Sequence, residues 1–577
     1  MRTKNRLFRL PTRADWHAIF SSFTKKEWYL FLVFVALLFI STLVAVYSLS
    51  SKFEVSVPSH GGELVEGVIG TPRYVNPVIA LTDADRDLTA LIYSGLTREG
   101  AHNTLVPDIA EQWTVDEAGL TYTFTIKEGA LFQDGEPITA EDVVFTVEAI
   151  QSDILKSPLR VKWEGVTSEA VDSRTVVFTL KQPFVGFLEN TTVGILPKHI
   201  WENASSEEFS FSDFNIKPIG AGPYRVESVS KDSSGVPEEY TLRAYDDAPG
   251  GEPFIETMTI RFYPNEDERL AALKSGSIDQ AGSVSPLDAT LLADRNMLVD
   301  ATALPRVFGV YFNQNKAEVL NQTGVKTAID KAIDREAIVR EALYGFGTPI
   351  ASPVPPGLIP NLELPAVATQ DIAGANALLD KNGWTIGEDG FRSKTIDKKV
   401  TPLRFSIATS DTPELKRTAE IIRDNLSLVG IFVDIKVYDT GTLNQQIIRE
   451  RDYDALLFGK VVSQESDLFA FWHSSQRNDP GLNVSGYVNK TVDAILEKNA
   501  KETDASVRTV AYASFIKEIL TDKPAVFLFS PSYIYVSNKE VGGRDLVSMG
   551  VSSERFANVT SWYTNHEKLW PLFTSKQ

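Results

Sequence analysis

Between Trp28 and Leu49 the chain runs 22 residues without a charge, a proline or a glycine. A helix of that length rises about 33 Å, enough to cross a hydrocarbon core of roughly 30 Å with every backbone polar group satisfied inside the segment. The run is therefore expected to be a transmembrane helix. Residues 1–27 carry Arg2, Lys4, Arg6, Arg9, Arg13, Lys25 and Lys26 against Asp15 and Glu27, so this tail is +5 and the rest of the chain −24. The bias of basic residues toward the cytoplasm keeps such a tail inside. A cleaved signal would have an apolar core of roughly 7–15 residues and a small-x-small site behind it. This run is longer and no convincing site follows, so an uncleaved, single-pass anchor is expected. Residues 50–60 read as a polar linker to an extracytoplasmic ectodomain.

The remaining chain, most of 577 residues, is long enough to bury at least one sizeable core, and 43% hydrophobic with 23% charged residues is a globular composition. A net charge of −19 would repel a phosphate backbone and argues against nucleic acid as a partner. The absence of cysteine excludes disulfides, thiolate nucleophiles, cysteine-bound metals and a lipid-modified cysteine anchor.

Short alternating strands dominate the first half. Leu120–Ile126 alternates with period two, and Thr175–Leu180 is a second β-rich run. Between them Asp134-Gly135 marks a tight turn, and Thr139 with Asp142 three residues on predicts a capped helix carrying Val143, Val144 and Val147. These are scaffold positions. Further on, Leu403, Phe405 and Ile407 predict a strand, Pro413 opens a helix with Leu415, Ala419, Ile422, Leu426 and Val429 on one face, and Gly430 closes it. Ile431–Val437 and Tyr453–Phe458 follow as strands, the alternation of parallel βαβ units. Two lobes of different texture with no flexible linker between them predict a shared cleft.

Enzyme signatures are sparse. The histidines His17, His60, His102, His199, His473 and His566 are scattered without i,i+4 pairing, so no metal and no cofactor is expected. Gly220-Ala-Gly222 and Gly345-Phe-Gly347 complete no nucleotide-binding fingerprint and read as turns. A glycosidase-type carboxylate pair has no sequence spacing to betray it, so a surface-exposed hydrolase of carbohydrate or peptide stands as the alternative reading.

The order of segments resembles the extracytoplasmic solute-binding proteins of peptide-type ABC importers, the oligopeptide/dipeptide/nickel-binding family. Lys127, Gly129, Phe132, Asp134-Gly135 and Pro137, followed by Thr139-Ala140 and Asp142-Val143, match its most specific segment. Gly220–Tyr224, Leu273–Asp279, Phe312-Asn313 with Ala332–Ile338, Leu378–Trp384, Tyr453-Asp454 and Asn483–Asn489 follow in family order, so the likeness covers roughly residues 61–540. The resemblance implies an α/β, two-lobed periplasmic-binding-protein-like fold of the large peptide-binder type behind the transmembrane helix. Lobe one would be 61–305 with 525–577 and lobe two 306–524, crossing near Leu304–Val310 and Lys523–Leu528. It further implies a binder of peptides or similar small polar solutes, working with ABC permease subunits and needing no covalent chemistry. Ligand contacts completed only on closure would shift an open–closed equilibrium.

Peptide binders of that family lay the ligand along the segment after a strand like Tyr453–Phe458, and several place an Asp there to pair the free α-amino group. By that resemblance Gly459, Val461, Ser463 and Glu465 are ligand-binding candidates, with Tyr245 and Tyr533 as aromatics near the cleft. Ser463 falls where the Asp is expected. A neutral hydroxyl supplies no charge-assisted bond, which leaves Glu465, two residues on, as the substitute carboxylate.

Overall fold

The structure, a computed structural model, describes residues 12, 16–17, 21–53, 55–100, 104–184, 186–313, 315–546 and 549–569. Of the basic tail, Lys25 and Lys26 fall among them; Arg2, Lys4, Arg6, Arg9 and Arg13 lie outside. The chain forms two compact units, residues 1–59 with 565–577, and residues 60–564.

In the first unit the apolar run forms the helix Lys25–Phe53. Its entry is fixed by Thr24, whose amide donates to Glu27 Oε2 at 2.7 Å while the Glu27 amide donates back to Thr24 Oγ1 at 3.4 Å. The stretch Lys25–Ala45 is long and apolar enough to cross a membrane, with a mean hydropathy of 2.5 and none of it buried in protein. The expected polar linker 50–60 is not a linker. The helix runs on to Phe53, and Val55–Ser59 is a strand pairing antiparallel with Asn565–Leu569, Val55 opposite Leu569 and Ser59 opposite Asn565. β-branched Val55 and Val57 suit a pleated ribbon, and the partner that fixes it lies some 500 residues away in sequence, beyond any local pattern.

The second unit is organised by one long strand, Ala525–Ser537. Its first residues, Ala525–Phe529, pair antiparallel with Arg306–Phe312, beyond which lie Ala455–Val461, Arg404–Ser410 and Phe432–Tyr438. Its later residues, Ser532–Ser537, pair with Leu298–Ala303, and next to them Gln280–Ala281 leads to Glu63–Ile69, Thr257–Tyr263, Pro237–Ala244 and Tyr224–Lys231. A separate antiparallel sheet, in the order Ala110–Val115, Thr121–Ile126, Thr175–Leu180 and Val166–Ala170, completes the first half. The strand changes partners at Ser530–Pro531, where the Leu304 amide donates to Pro531 O at 2.9 Å and Ser530 Oγ donates to Leu304 O at 2.6 Å.

That switch corrects the boundary drawn at 525. Val526, Leu528 and Phe529 bury in the core around Ile329, Ile407 and Ile422, and Ala525 and Phe527 in the one around Tyr311 and Trp472. The halves therefore meet near residue 531, because this strand is a central member of the second sheet before it joins the first. Residues 565–577 moreover belong to the other compact unit.

The local expectations hold. Asp142 Oδ2 accepts from the Thr139 amide at 2.8 Å and from Thr139 Oγ1 at 2.7 Å, closing the capping box of the helix Ala140–Gln151. Pro413 opens the helix Pro413–Ser427, and Gly430 takes φ +74° as the Ile431 amide returns to Leu426 O at 3.0 Å. Arg404–Ser410 is buried on both faces from Phe405 onward, since it runs parallel between Phe432–Tyr438 and Ala455–Val461 with helices packed on the sheet.

Candidate functional site

The strand Ala455–Val461 runs antiparallel to Arg306–Phe312, so Gly459 stands opposite Phe308 and Val461 opposite Arg306. Glycine at 459 is required by packing: a Cβ there would lie 2.3 Å from the Phe308 ring, itself stacked on Phe529 at 4.9 Å. Val461 is partly exposed at the strand end. Facing it, the half-buried Arg306 keeps a buried Nε without a hydrogen-bond partner, and burial lowers its pKa against the pull of Asp83. That nitrogen lies beside the segment the resemblance assigns to the ligand. Nothing in the local sequence marks Arg306; only the strand register reveals it.

Beyond Val461 the chain caps the helix Glu465–Trp472. The amides of Ser463 and Gln464 donate to Asp467 Oδ2 at 2.9 and 3.0 Å, and Ser463 Oγ donates to the same oxygen at 3.3 Å. Glu465 is held by Arg508, whose Nε stands 2.9 Å from Glu465 Oε2 with both side chains largely buried. Its charge is already spent inside the same half. Ser463 meets the other half of the molecule, since a Cβ on Gly550 would lie 2.8 Å from Ser463 Cβ.

Carboxylates gather on that opposite side. Burial pushes Glu189 up to about 7; Lys162 opposes the shift, while Asp467, Glu465 and Glu554 add to it. Glu554 accepts the Gly550 amide at 2.6 Å and is raised by burial. The junction therefore combines a cation, Arg306, at the strand end with an acidic wall built from both halves. Sequence spacing could not show this wall, because Glu189, the Glu465–Asp467 turn and Glu554 come from three separate stretches of the chain.

The two tyrosines play other parts. Tyr245 is buried, and its hydroxyl donates to Phe132 O at 3.0 Å, pinning the Asp134-Gly135 turn. Tyr533 is buried against Gly282, and desolvation pushes its hydroxyl up to about 12. Beside it, Arg555 bridges Glu66 and Asp87 at 2.7 and 2.6 Å, and Tyr535 Oη donates to Glu66 Oε2 at 2.5 Å, a fully buried network tying the C-terminal segment to the first sheet. The structure thus brings Val461, Ser463 and Glu465 to one junction, and places Tyr245 and Tyr533 in packing roles.

Residues 104–480 match the family described as bacterial extracellular solute-binding proteins, family 5 Middle. The chain is 29% identical over 493 residues to the oligopeptide-binding protein AppA of Bacillus subtilis, covering 84% of this chain and 89% of the relative. Among solved structures, the substrate-binding protein CtaP of Listeria monocytogenes superposes with a TM-score of 0.74 at 25% identity, covering 88% of this chain and all of that one. NikZ of Campylobacter jejuni, solved with Ni(L-His), gives 0.66 at 26% identity, covering 87% and 99%. The halves meeting at Pro531 are thus the two lobes of a periplasmic binding protein of the peptide-binder type, and the chain belongs to the bacterial extracellular solute-binding proteins of family 5.

Proposed function

We propose that the chain is a membrane-anchored, extracytoplasmic receptor that captures peptides or similar small polar solutes between its lobes and delivers them to ABC permease subunits, acting as a binder and not as an enzyme. The observation that carries the reading is the junction itself: Val461–Glu465 of lobe two abuts Gly550 of lobe one, with the unpaired Arg306 Nε at the strand end and the acidic wall opposite. A zwitterionic solute complements that arrangement, its carboxylate or carbonyls toward Arg306 and its donors toward the carboxylates. The lobes are read as 61–305 with 531–564, and 306–530. The relative named for oligopeptides and the neighbour solved with Ni(L-His) both fit a polar guest of this kind. The apolar helix with its basic tail supports anchoring with the N-terminus in the cytoplasm.

Closure is the testable step. Contacts from both lobes stabilise the closed form only when a ligand bridges them. Mass spectrometry of solutes released from the purified protein identifies the guest, and X-ray scattering on re-addition is expected to show a more compact particle with unchanged secondary structure. Identical scattering curves with ligand demonstrably bound would argue for a rigid pocket instead.

A further inference from the structure

Lobe one contains a cavity of about 190 Å³ between the end of the helix Asp83–Ile92, the strand Thr97–Glu99 and the C-terminal segment around Ser552–Phe556. At about 30 Å³ per water it has room for about six waters, or for a small head group with a short alkyl stem. Two side chains on its wall are only 4% exposed yet leave a polar atom without a partner: Tyr93 Oη and Asp108 Oδ1. A buried polar atom left unpaired costs about 1–3 kcal/mol, so each calls for a guest that hydrogen-bonds it. Glycine at 250 keeps the second one open, for a Cβ there would stand 3.1 Å from Asp108 Oδ1.

We propose that this cavity is a receptor for a primary ammonium group, with Glu99 and Glu554 as its charge partners and Tyr93 Oη and Asp108 Oδ1 as its further acceptors. The charges around it favour a cation. Asp108 has Arg98 and Lys127 to offset it, whereas Glu99 feels Glu554 and Glu189, and Lys162 is the cation whose field reaches Glu189 and Glu554. Glu465 of lobe two adds to the acidity at Glu189 but is itself neutralised by Arg508. Burial and the neighbouring Glu554 push Glu99 up to about 8, so the pair holds a proton at neutral pH that an arriving ammonium displaces. Arg98 lines the same cavity with a buried Nε that has no partner, so the guest's three N–H donors belong on the Glu99–Glu554 side, away from that guanidinium. The amine comes either from a free small amine or from a peptide held in the cleft, and only the second source rests on the capture proposed above.

Full-length protein in phosphatidylcholine nanodiscs is titrated calorimetrically with n-butylammonium and with 1-butanol, in buffers of different ionisation heat. The expected result is binding of the ammonium with release of a fraction of a proton, and no binding of the alcohol. In Glu99→Gln/Glu554→Gln the ammonium affinity is expected to fall about tenfold or more, and Gly250→Ala, which crowds Asp108 Oδ1 without removing a charge, is expected to weaken it as well. Equal heats for ammonium and alcohol, or an unchanged affinity in the double variant, would overturn the proposal. A parallel arm compares trialanine with N-acetyl-trialanine. Preference for the free amine, lost in the double variant, assigns the cavity to the peptide; binding of butylammonium alone assigns it to a free amine. If trialanine compacts wild type and double variant equally and butylammonium binds neither, capture between the lobes stands and the ammonium receptor falls.

Discussion

Lys460 shows how far a single side chain can depart from what its neighbourhood in sequence suggests. It lies between Gly459 and Val461 on the strand expected to carry ligand contacts, yet it points to the opposite face, where Nζ stands 4.3 Å from the Tyr311 ring, 4.5 Å from Trp472 and 4.9 Å from Phe471. Desolvation drives its pKa well below the ordinary value, with Arg451 adding to the effect. A folded pKa below the unfolded one means that the unfolded chain binds the extra proton, so stability rises with pH from the folded pKa up to about 10.4. The urea midpoint is therefore expected to climb between neutral and mildly alkaline pH, and the climb to flatten in Lys460→Met. At neutral pH that variant should be the more stable by about 1–3 kcal/mol, having no amine to desolvate; a large loss on substitution would mean that the three rings hold a charged ammonium after all. Gly459→Ala tests the other face: its methyl collides with the Phe308–Phe529 stack, and a loss of about 1–3 kcal/mol is expected in the same measurement. At this scale the sequence was only half legible. The period of two says that neighbours on a strand face opposite ways, but not which face meets solvent, and the partners of Glu465 and Tyr245, Arg508 and Phe132, are more than 40 residues distant.

Elements were read more reliably, because their signals are local. The capping box at Thr139 and Asp142, the proline start at 413 and the glycine stop at 430 each use chemistry within four residues of the helix end they fix. Thr139→Ala is expected to cost about 1 kcal/mol by chemical denaturation. Asp142→Ala should cost more, since Asp142 Oδ1 also accepts the Lys198 amide at 2.8 Å and links this helix end to a later segment; equal losses would mean that this second bond adds nothing. Where an element depends on a distant partner, local reading failed. The polar-looking stretch after Ser50 became a strand because Asn565–Leu569 lies beside it, and Ala525–Phe529 went to the second lobe because Arg306–Phe312 is its neighbour. Both crossings carry a proline, Pro305 and Pro531, at the point where one set of strand partners gives way to the other. Neither has an N–H to leave unpaired, while their carbonyls accept the Val462 and Leu304 amides at 2.7 and 2.9 Å.

At the scale of the whole chain, the hydrophobic clusters decide what can be removed. The four formed by the described residues lie within 60–564, built from residues between Leu64 and Trp562, while the helix Lys25–Phe53 and the ribbon Val55–Ser59 with Asn565–Leu569 fall in the other compact unit. The long apolar run and the family motifs made this division legible in the sequence, but the ribbon that joins the two chain ends was not, since pairing across 500 residues leaves no periodic trace. A chain of residues 60–564 is therefore expected to fold alone, unfold cooperatively, and stay in the supernatant after membranes are pelleted, whereas the full chain pellets and resists alkaline carbonate extraction. Removing the ribbon while keeping the helix, by ending the full chain at Thr564, separates the two features. If the helix is the anchor, that version still pellets, with a thermal midpoint for the 60–564 unit within a few degrees of the full chain; a midpoint that drops steeply would show that the ribbon braces the lobes, and release from the membrane would show that the helix alone does not hold the protein there.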